Sequence, residues 1–310
     1  MNTITNPKVA ALVANIEKVI IGKREPIVKL IAALLSRGHV LIEDVPGVGK
    51  TKLVAALSKS VGGVYNRVQF TPDVMPSDIM GFNMIDSASK EMQYREGSAF
   101  CNFFLADEIN RASPKAQSSL LEVMEELQVS VDGVTRPLPS PFMTLATQNP
   151  VETYGTYHLP EAQMDRFIMK LSMGYPAPEE EKQILDQKGM NAADLQAVLT
   201  LADIKELQNN ADEVKTNDLI LEYIITLVNA TRATDLLTLG ASPRGSIALF
   251  KSAKALALIH GREYVIPDDI RDLAVGVLAH RLMLSPKGKS TVGSATAIVE
   301  EIVRVTPIPG

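Results

Sequence analysis

The sequence has one cysteine, Cys101, no tryptophan, and only 5% aromatic residues. A single cysteine excludes a disulfide framework and a zinc cluster of thiolates. It lies in the apolar run Phe100–Ala106, where a thiol is expected to be inert core. No apolar stretch is long enough to span a bilayer. The N-terminal stretch contains Glu17 and Lys18 and lacks the hydrophobic centre of a signal peptide. A cytoplasmic protein is the expectation. No block of Lys and Arg stands out and the formal net charge is −5, which argues against nucleic acid or an anionic membrane as the main partner. What is present is an ordinary globular balance, 46% hydrophobic and 22% charged. At roughly 150 residues per domain, the length predicts about two domains.

The most informative stretch is 38–52. Val40, Leu41 and Ile42 read as a short buried strand. Pro46, Gly47 and Gly49 break regularity, and a helical pattern starts at Lys50 with Leu53, Val54 and Leu57. Strand, glycine-containing loop, Gly-Lys-Thr and helix is the context a phosphate-binding loop requires. Backbone N–H groups of such a loop and the positive end of the helix face an anion. Lys50 would reach the β- and γ-phosphates, and the Thr51 hydroxyl would hold Mg²⁺. One position departs from the pattern, which asks for glycine where this chain has Asp44.

Along the chain, Val9, Leu12, Val13 and Ile16 predict an amphipathic helix over 7–18. A second helix is expected from Pro26, capped by Gly38, and the helix from Lys50 should end at Gly62-Gly63. Strands are predicted at Tyr65–Phe70, Phe103–Ala106, Phe142–Thr147 and Phe167–Met173. Between the first two, 82–86 and 91–95 suggest a small inserted hairpin turning at Ser87–Lys90. Ser113-Pro114 starts a helix, and Asp132-Gly133 turns another hairpin. After Tyr175-Pro176 the strand signal stops. Helices are predicted over Leu219–Val228, Pro243–His260 and Pro267–Leu284. The expected fold is therefore a parallel-sheet α/β domain, 1–176, with an appended all-α domain, 177–310.

Asp107-Glu108 ends an apolar strand. Asp107 would contact Mg²⁺ through water, and Glu108 would orient and deprotonate an attacking water. Asn149 follows another strand, and strand C-termini of a parallel sheet share one edge. It could hold the attacking water or the γ-phosphate. Arg244 stands just inside a helix start, after Ser242-Pro243, where a cation opposes the helix dipole. A phosphate partner would explain it.

Taken together, these residues resemble the AAA+ ATPases, and specifically the MoxR family. The strings Glu43–Thr51, Leu105–Ala112, Ala146–Pro150 and Leu159–Phe167 carry the resemblance, and it runs over nearly the whole chain. It implies a P-loop NTPase core with a helical lid, and ATP and Mg²⁺ as ligands. Pro46, Gly47, Val48, Gly49, Lys50, Thr51 and Lys52 match Walker A, with an acid at position 44 common in the family. Asp107 and Glu108 match Walker B. Asn149 matches sensor 1, Arg166 the arginine finger, and Arg244 sensor 2. Ile21-Gly22 matches the turn that packs on adenine. The two hairpins match the helix-2 insert and the pre-sensor hairpin.

The resemblance further implies a ring oligomer, a hexamer by analogy. It implies a client protein to be remodelled or activated, often one with a von Willebrand factor A domain that holds a metal ion or aids cofactor insertion. Arg166 would serve a neighbour's ATP. Whether Arg244 acts in its own subunit, and whether Arg111 reaches a neighbour or braces Walker B, stay open at this level. His39, His158, His260 and His280 show no partner pattern and read as structural; the twelve methionines read as packing. The alternatives are a nucleotide-gated binding module with little hydrolysis, a DNA-acting motor, and metal chelation. The motor is disfavoured because residues 82–95 carry only Lys90 and Arg95 as cations, and 129–137 only Arg136.

Overall fold

The computed structural model describes residues 3–87, 90–149, 156–157, 159–186 and 191–308. Helices α1 (Pro7–Glu17) and α2 (Arg24–Leu35) precede strand β1 (Val40–Glu43), and α3 (Lys50–Ser60) follows it. Then come β2 (Tyr65–Gln69), α4 (Pro76–Met80), the hairpin β3 (Gly81–Ile85) and β4 (Met92–Glu96), β5 (Phe103–Asp107) and α5 (Pro114–Glu126). A second hairpin, β6 (Gln128–Val131) and β7 (Val134–Pro137), leads to β8 (Met143–Gln148), α6 (Glu161–Met164) and β9 (Met169–Leu171). The remainder is α7 (Pro178–Asp186), α8 (Leu201–Glu213), α9 (Asp218–Ala233), β10 (Leu237–Leu239), α10 (Pro243–Ile259), α11 (Pro267–Leu278), β11 (Met283–Leu284), α12 (Pro286–Thr291) and α13 (Ala295–Val305).

Strands β2, β5, β8, β1 and β9 form one sheet in that order, every pairing parallel. Both faces are covered, and the strand period shows it. Val40 and Ile42 enter one apolar cluster while Leu41 enters the other; Phe103 and Leu105 divide from Phe104 and Ala106 in the same way. The first cluster gathers α1, α2 and α3 with the lid helices, including Leu256, Leu273 and Val299. The second lies under α5 and includes Phe70, Leu120 and Phe167. The helix starts follow local chemistry. Asn6 accepts from the Val9 N–H ahead of Pro7, and Ser113 from the Ala116 N–H ahead of Pro114. At the second hairpin Asp132 (φ 50°) and Gly133 (φ 77°) are both left-handed, as a two-residue turn matched to strand twist requires.

Several boundaries differ from the sequence reading. Helix α2 starts at Arg24 and ends at Leu35, and it is Arg37, at φ 53°, that reverses the chain. Gly38 is needed for another reason: a Cβ there would lie 2.3 Å from Ile168 Cγ2. Strand β9 stops at Leu171 because the backbone N–H groups of Met173 and Gly174 turn away to the Asp44 carboxylate. The lid is helical except for the short pair β10–β11, which takes up residues 283–284. Helices α7, α8, α12 and α13 are additional to those singled out above. Met75, Met84, Met92 and Met283 are exposed, so the methionines are not all packing. The turn of the first hairpin, at residues 88–89, and His158 lie outside the described residues.

Cys101 is buried, and burial pushes its thiol up to about 12, consistent with an inert core residue. His39, His260 and His280 are buried against backbone atoms. His39 joins α5 to β8. The Thr144 N–H donates to its Nδ1 at 3.0 Å, so Nε2 carries the proton and donates to the Met124 carbonyl at 2.8 Å. Burial pushes its imidazole down from 6.5 to about 4. The unfolded chain then binds the proton more readily than the native one. The contribution is whole above pH 6.5, is lost as pH falls toward 4, and amounts to roughly 3 kcal/mol. Urea unfolding at pH 7 and pH 4.5 should show that loss, and His39→Gln, which cannot titrate, should show a smaller one. An equal loss in the variant would assign it to other groups.

Candidate nucleotide site

From Asp44 the chain turns through Gly47 (φ 86°) and Gly49 (φ 93°) into α3. Both glycines sit where L-residues are strained, and at Gly47 the backbone alone decides this, since a Cβ would meet nothing within 4 Å. The first turn of α3 holds no acidic residue. The end that carries its free N–H groups and the positive pole of its dipole thus has no competing carboxylate in its own first turn. Lys50 Nζ donates to the Asp44 carbonyl at 2.9 Å. The Asp44 side chain is buried and accepts from the Met173 N–H (2.5 Å), the Ser172 hydroxyl (2.9 Å) and the Gly174 N–H (3.2 Å). The residue standing where the loop pattern asks for glycine clamps the loop to the end of β9.

Asp107 and Glu108 leave the C-terminal end of β5, and Asn149 leaves that of β8 and is buried. Thr147 organises this edge. Its hydroxyl donates to Asp107 Oδ1 at 2.6 Å and accepts from the Glu108 N–H at 2.8 Å. Arg67 of β2 holds the other Asp107 oxygen at 2.6 Å. Glu108 is left-handed (φ 56°), which swings its carboxylate off the strand direction, and Arg111 Nε pairs with it at 2.8 Å. Arg111 therefore touches Glu108 within its own chain.

A cavity of about 150 Å³ adjoins the loop, lined by Ile20, Ile21, Gly47, Val48, Gly49, Lys52, Met173, Pro176 and Ile184. Ile21 thus lines the same cavity as the loop residues Gly47, Val48 and Gly49. Gly22 (φ 70°) does not line it; a Cβ there would collide with the Glu180 carboxyl. Pro46 is exposed.

Arg166 and Arg244 stand at the other end of the sheet. Arg166 precedes β9, and its Nη2 meets Glu125 Oε2 at 2.9 Å; Arg244 Nη2 meets Glu125 Oε1 at 2.6 Å. Glu125 closes α5 beside Met124, which bonds His39 just ahead of β1. This is the edge where strands begin. The length of β1, about 13 Å at 3.3 Å per residue, separates it from the loop. Arg244 therefore does not meet the phosphate loop of its own chain, and in place of a phosphate it has Glu125. Asp165, the neighbour that could have held Arg166, is taken by Arg281 and Ser242.

The family described as "ATPase family associated with various cellular activities (AAA)" matches residues 39–169, and the AAA lid domain matches 229–302. The protein YeaC of Bacillus subtilis is 50% identical over 98% of this chain and 96% of its own length. Chaperone MoxR1 of Mycobacterium tuberculosis is 40% identical, covering 95% of this chain and 80% of its own. The chain belongs to the MoxR family of AAA+ ATPases. A crystal structure from Cytophaga hutchinsonii, 37% identical, superposes with a TM-score of 0.91 over 98% of this chain and 96% of that one.

In this MoxR-family chain, sequence reasoning did not find Arg67, Thr147 or Glu125, nor the work of Asp44. Thr147 offered the best signal, as a hydroxyl one strand away from Asp107 at the same level. For Asp44 the geometry predicts a counter-intuitive result. Asp44→Gly restores the loop's glycine yet removes the acceptor for two backbone N–H groups and a hydroxyl. It should lose on the order of 3 kcal/mol in urea unfolding and weaken nucleotide binding, with Asp44→Asn between it and wild type. Wild-type stability in the glycine variant would mean that the clamp carries no weight.

Proposed function

We propose that the chain binds ATP with Mg²⁺ and hydrolyses it to ADP and phosphate, as a ring of subunits that remodels or activates client proteins. The observation carrying this reading is the convergence of the loop, Asp107, Glu108 and Asn149 on the C-terminal edge of the sheet. The triphosphate lies on the N–H groups at the start of α3 with Lys50 as counter-charge, and adenine enters the cavity at Ile21 and Val48. Thr51 and Asp107 would hold Mg²⁺, which would neutralise charge on the phosphates; one hydroxyl and one carboxylate fit an ion that takes few protein ligands. Glu108 accepts a proton from the water as its oxygen bonds to the γ-phosphorus and the bond to the β–γ bridging oxygen breaks. Asn149 holds that water or the γ-phosphate. Arg111 fixes the direction of the Glu108 side chain.

Arg166 and Arg244 serve the ATP of a neighbouring subunit in this reading. Their position at the strand-entering edge supports it, as does their joint hold on an exposed carboxylate that a phosphate can replace. Six subunits is the size that the family likeness suggests. The two domains divide at 176/177. The remodelling role is carried over from the relative named a chaperone. Clients with a von Willebrand factor A domain, and help with metal or cofactor insertion, extend the same likeness. Cytoplasmic residence fits a chain in which no described helix is long and apolar enough to cross a membrane.

Steady-state phosphate release tests hydrolysis. Glu108→Gln should bind ATP normally and turn over ~10²–10⁴-fold more slowly, because the amide keeps shape but not basicity. Turnover near wild type would remove Glu108 from the role of base. Lys50→Ala should lose affinity for the nucleotide itself, and unchanged affinity would show that the loop has been misassigned.

Assembly is a separate prediction. Specific activity should rise with protein concentration. Arg166→Ala, inactive alone, should recover activity when mixed with inactive Lys50→Ala, because interfaces pairing an intact loop with an intact arginine reappear. A finger of this kind is worth ~10³–10⁵ in rate. Mixtures that co-assemble and stay inactive would leave Arg166 a partner of Glu125 and nothing more.

A further inference from the structure

Arg67 is a charged residue at this edge to which the preceding reading assigns no role. It lies on β2 in register with Leu105, and Gln69 is in register with Asp107. Alternate strand residues share a face, so Arg67 and Asp107 are diagonal neighbours, within reach of a long side chain. Arg67 Nε and Nη2 donate to Asp107 Oδ2 at 3.1 and 2.6 Å, and Nη2 also donates to Gln69 Oε1 at 3.0 Å. The Thr147 hydroxyl takes Oδ1. The Asp107 side chain is only 12% exposed, whereas that of Arg67 is 45% exposed. A carboxylate this enclosed needs its oxygens saturated, and at Oδ2 a counter-charge does this.

We infer that Arg67 is the counter-charge of Asp107 whenever no metal stands there, and that it competes with Mg²⁺ for this carboxylate. Arg67 is in this sense a positioning residue that sets how much Mg²⁺ the site requires. Two cations on one carboxylate repel. The guanidinium is the one free to leave, because β2 is the outer strand of the sheet and Arg67 is open to solvent. Its effect is selective. It raises the Mg²⁺ concentration needed to hold nucleotide, while its positive charge does not oppose a metal-free triphosphate. The inference rests on Asp107 serving Mg²⁺ as proposed above.

The test is binding of a fluorescent, non-hydrolysable ATP analogue at a series of free Mg²⁺ concentrations set with EDTA. Wild type, Arg67→Gln and Arg67→Lys are compared, with folding checked by circular dichroism. Arg67→Gln should lower the Mg²⁺ midpoint at least about threefold. Arg67→Lys keeps the charge without the two-pronged contact and should fall between the two. A midpoint in Arg67→Gln equal to or above wild type overturns the inference, since Arg67 would then support the metal site or leave it alone. Wild-type binding with no dependence on Mg²⁺ overturns the inference and the metal assignment together. That failure is visible in the wild type by itself, and so is distinguishable from a failure seen only in the variants. If Arg67→Gln does not fold, the lysine variant decides, and a midpoint no lower than wild type overturns the inference.

Discussion

Asp44 ties together three parts of the molecule. Its backbone carbonyl receives Lys50, its side chain receives the N–H groups that follow β9, and the chain leaving that clamp forms a wall of the adjoining cavity through Met173 and Pro176. A buried carboxylate is stable only when its oxygens are saturated, and here backbone groups and the Ser172 hydroxyl do it. The shape of the loop and the course of the chain after β9 are therefore set by one residue. Glycine at this position would free the loop, but it would also leave two N–H groups at the end of β9 without their acceptor.

The parallel sheet imposes the second constraint. All five strands run one way, so residues that follow strands collect at one edge and residues that precede them collect at the other. Lys50, Asp107, Glu108 and Asn149 follow strands. His39, Arg166 and Ile168 precede them. The start of α10 is brought to the second group because Ser242 bonds Asp165 and Arg281 bonds the backbone at Asp165 and Phe167. Arg244 thereby lies beside Arg166, although 78 residues separate them in the chain.

Local order explains what could be read in advance. The buried strands at Val40 and Phe103, the N-cap at Ser113, and the Asp132-Gly133 turn are short-range chemistry, and each stands in the structure at its expected place. The loop and its helix were legible for the same reason. Illegible features are those whose partners lie far along the chain. Asp44 finds its acceptor role some 130 residues on, Arg67 meets Asp107 40 residues on, and Glu125 meets Arg244 119 residues on. The end of α2 misled because glycine has two uses. Gly38 seemed suited to reverse the chain, yet Arg37 does so, and Gly38 is there to admit Ile168.

Glu125 shows why the position of Arg244 is best understood through charge. A cation in the first turn of a helix opposes the dipole by roughly 0.3–1 kcal/mol. An exposed ion pair returns about that much, so the contact with Glu125 offsets the penalty without making Arg244 a stabilising residue. The same carboxylate also holds Arg166, leaving two guanidinium groups on one anion at an exposed edge. Such a pair keeps a net positive charge and remains exchangeable. A phosphate group carries more charge than one carboxylate and offers more acceptor oxygens, so it can displace Glu125 where a second carboxylate would gain little. The arrangement adds little as a structural device, and in the proposed reading it is a receiver for a phosphate brought from outside the chain.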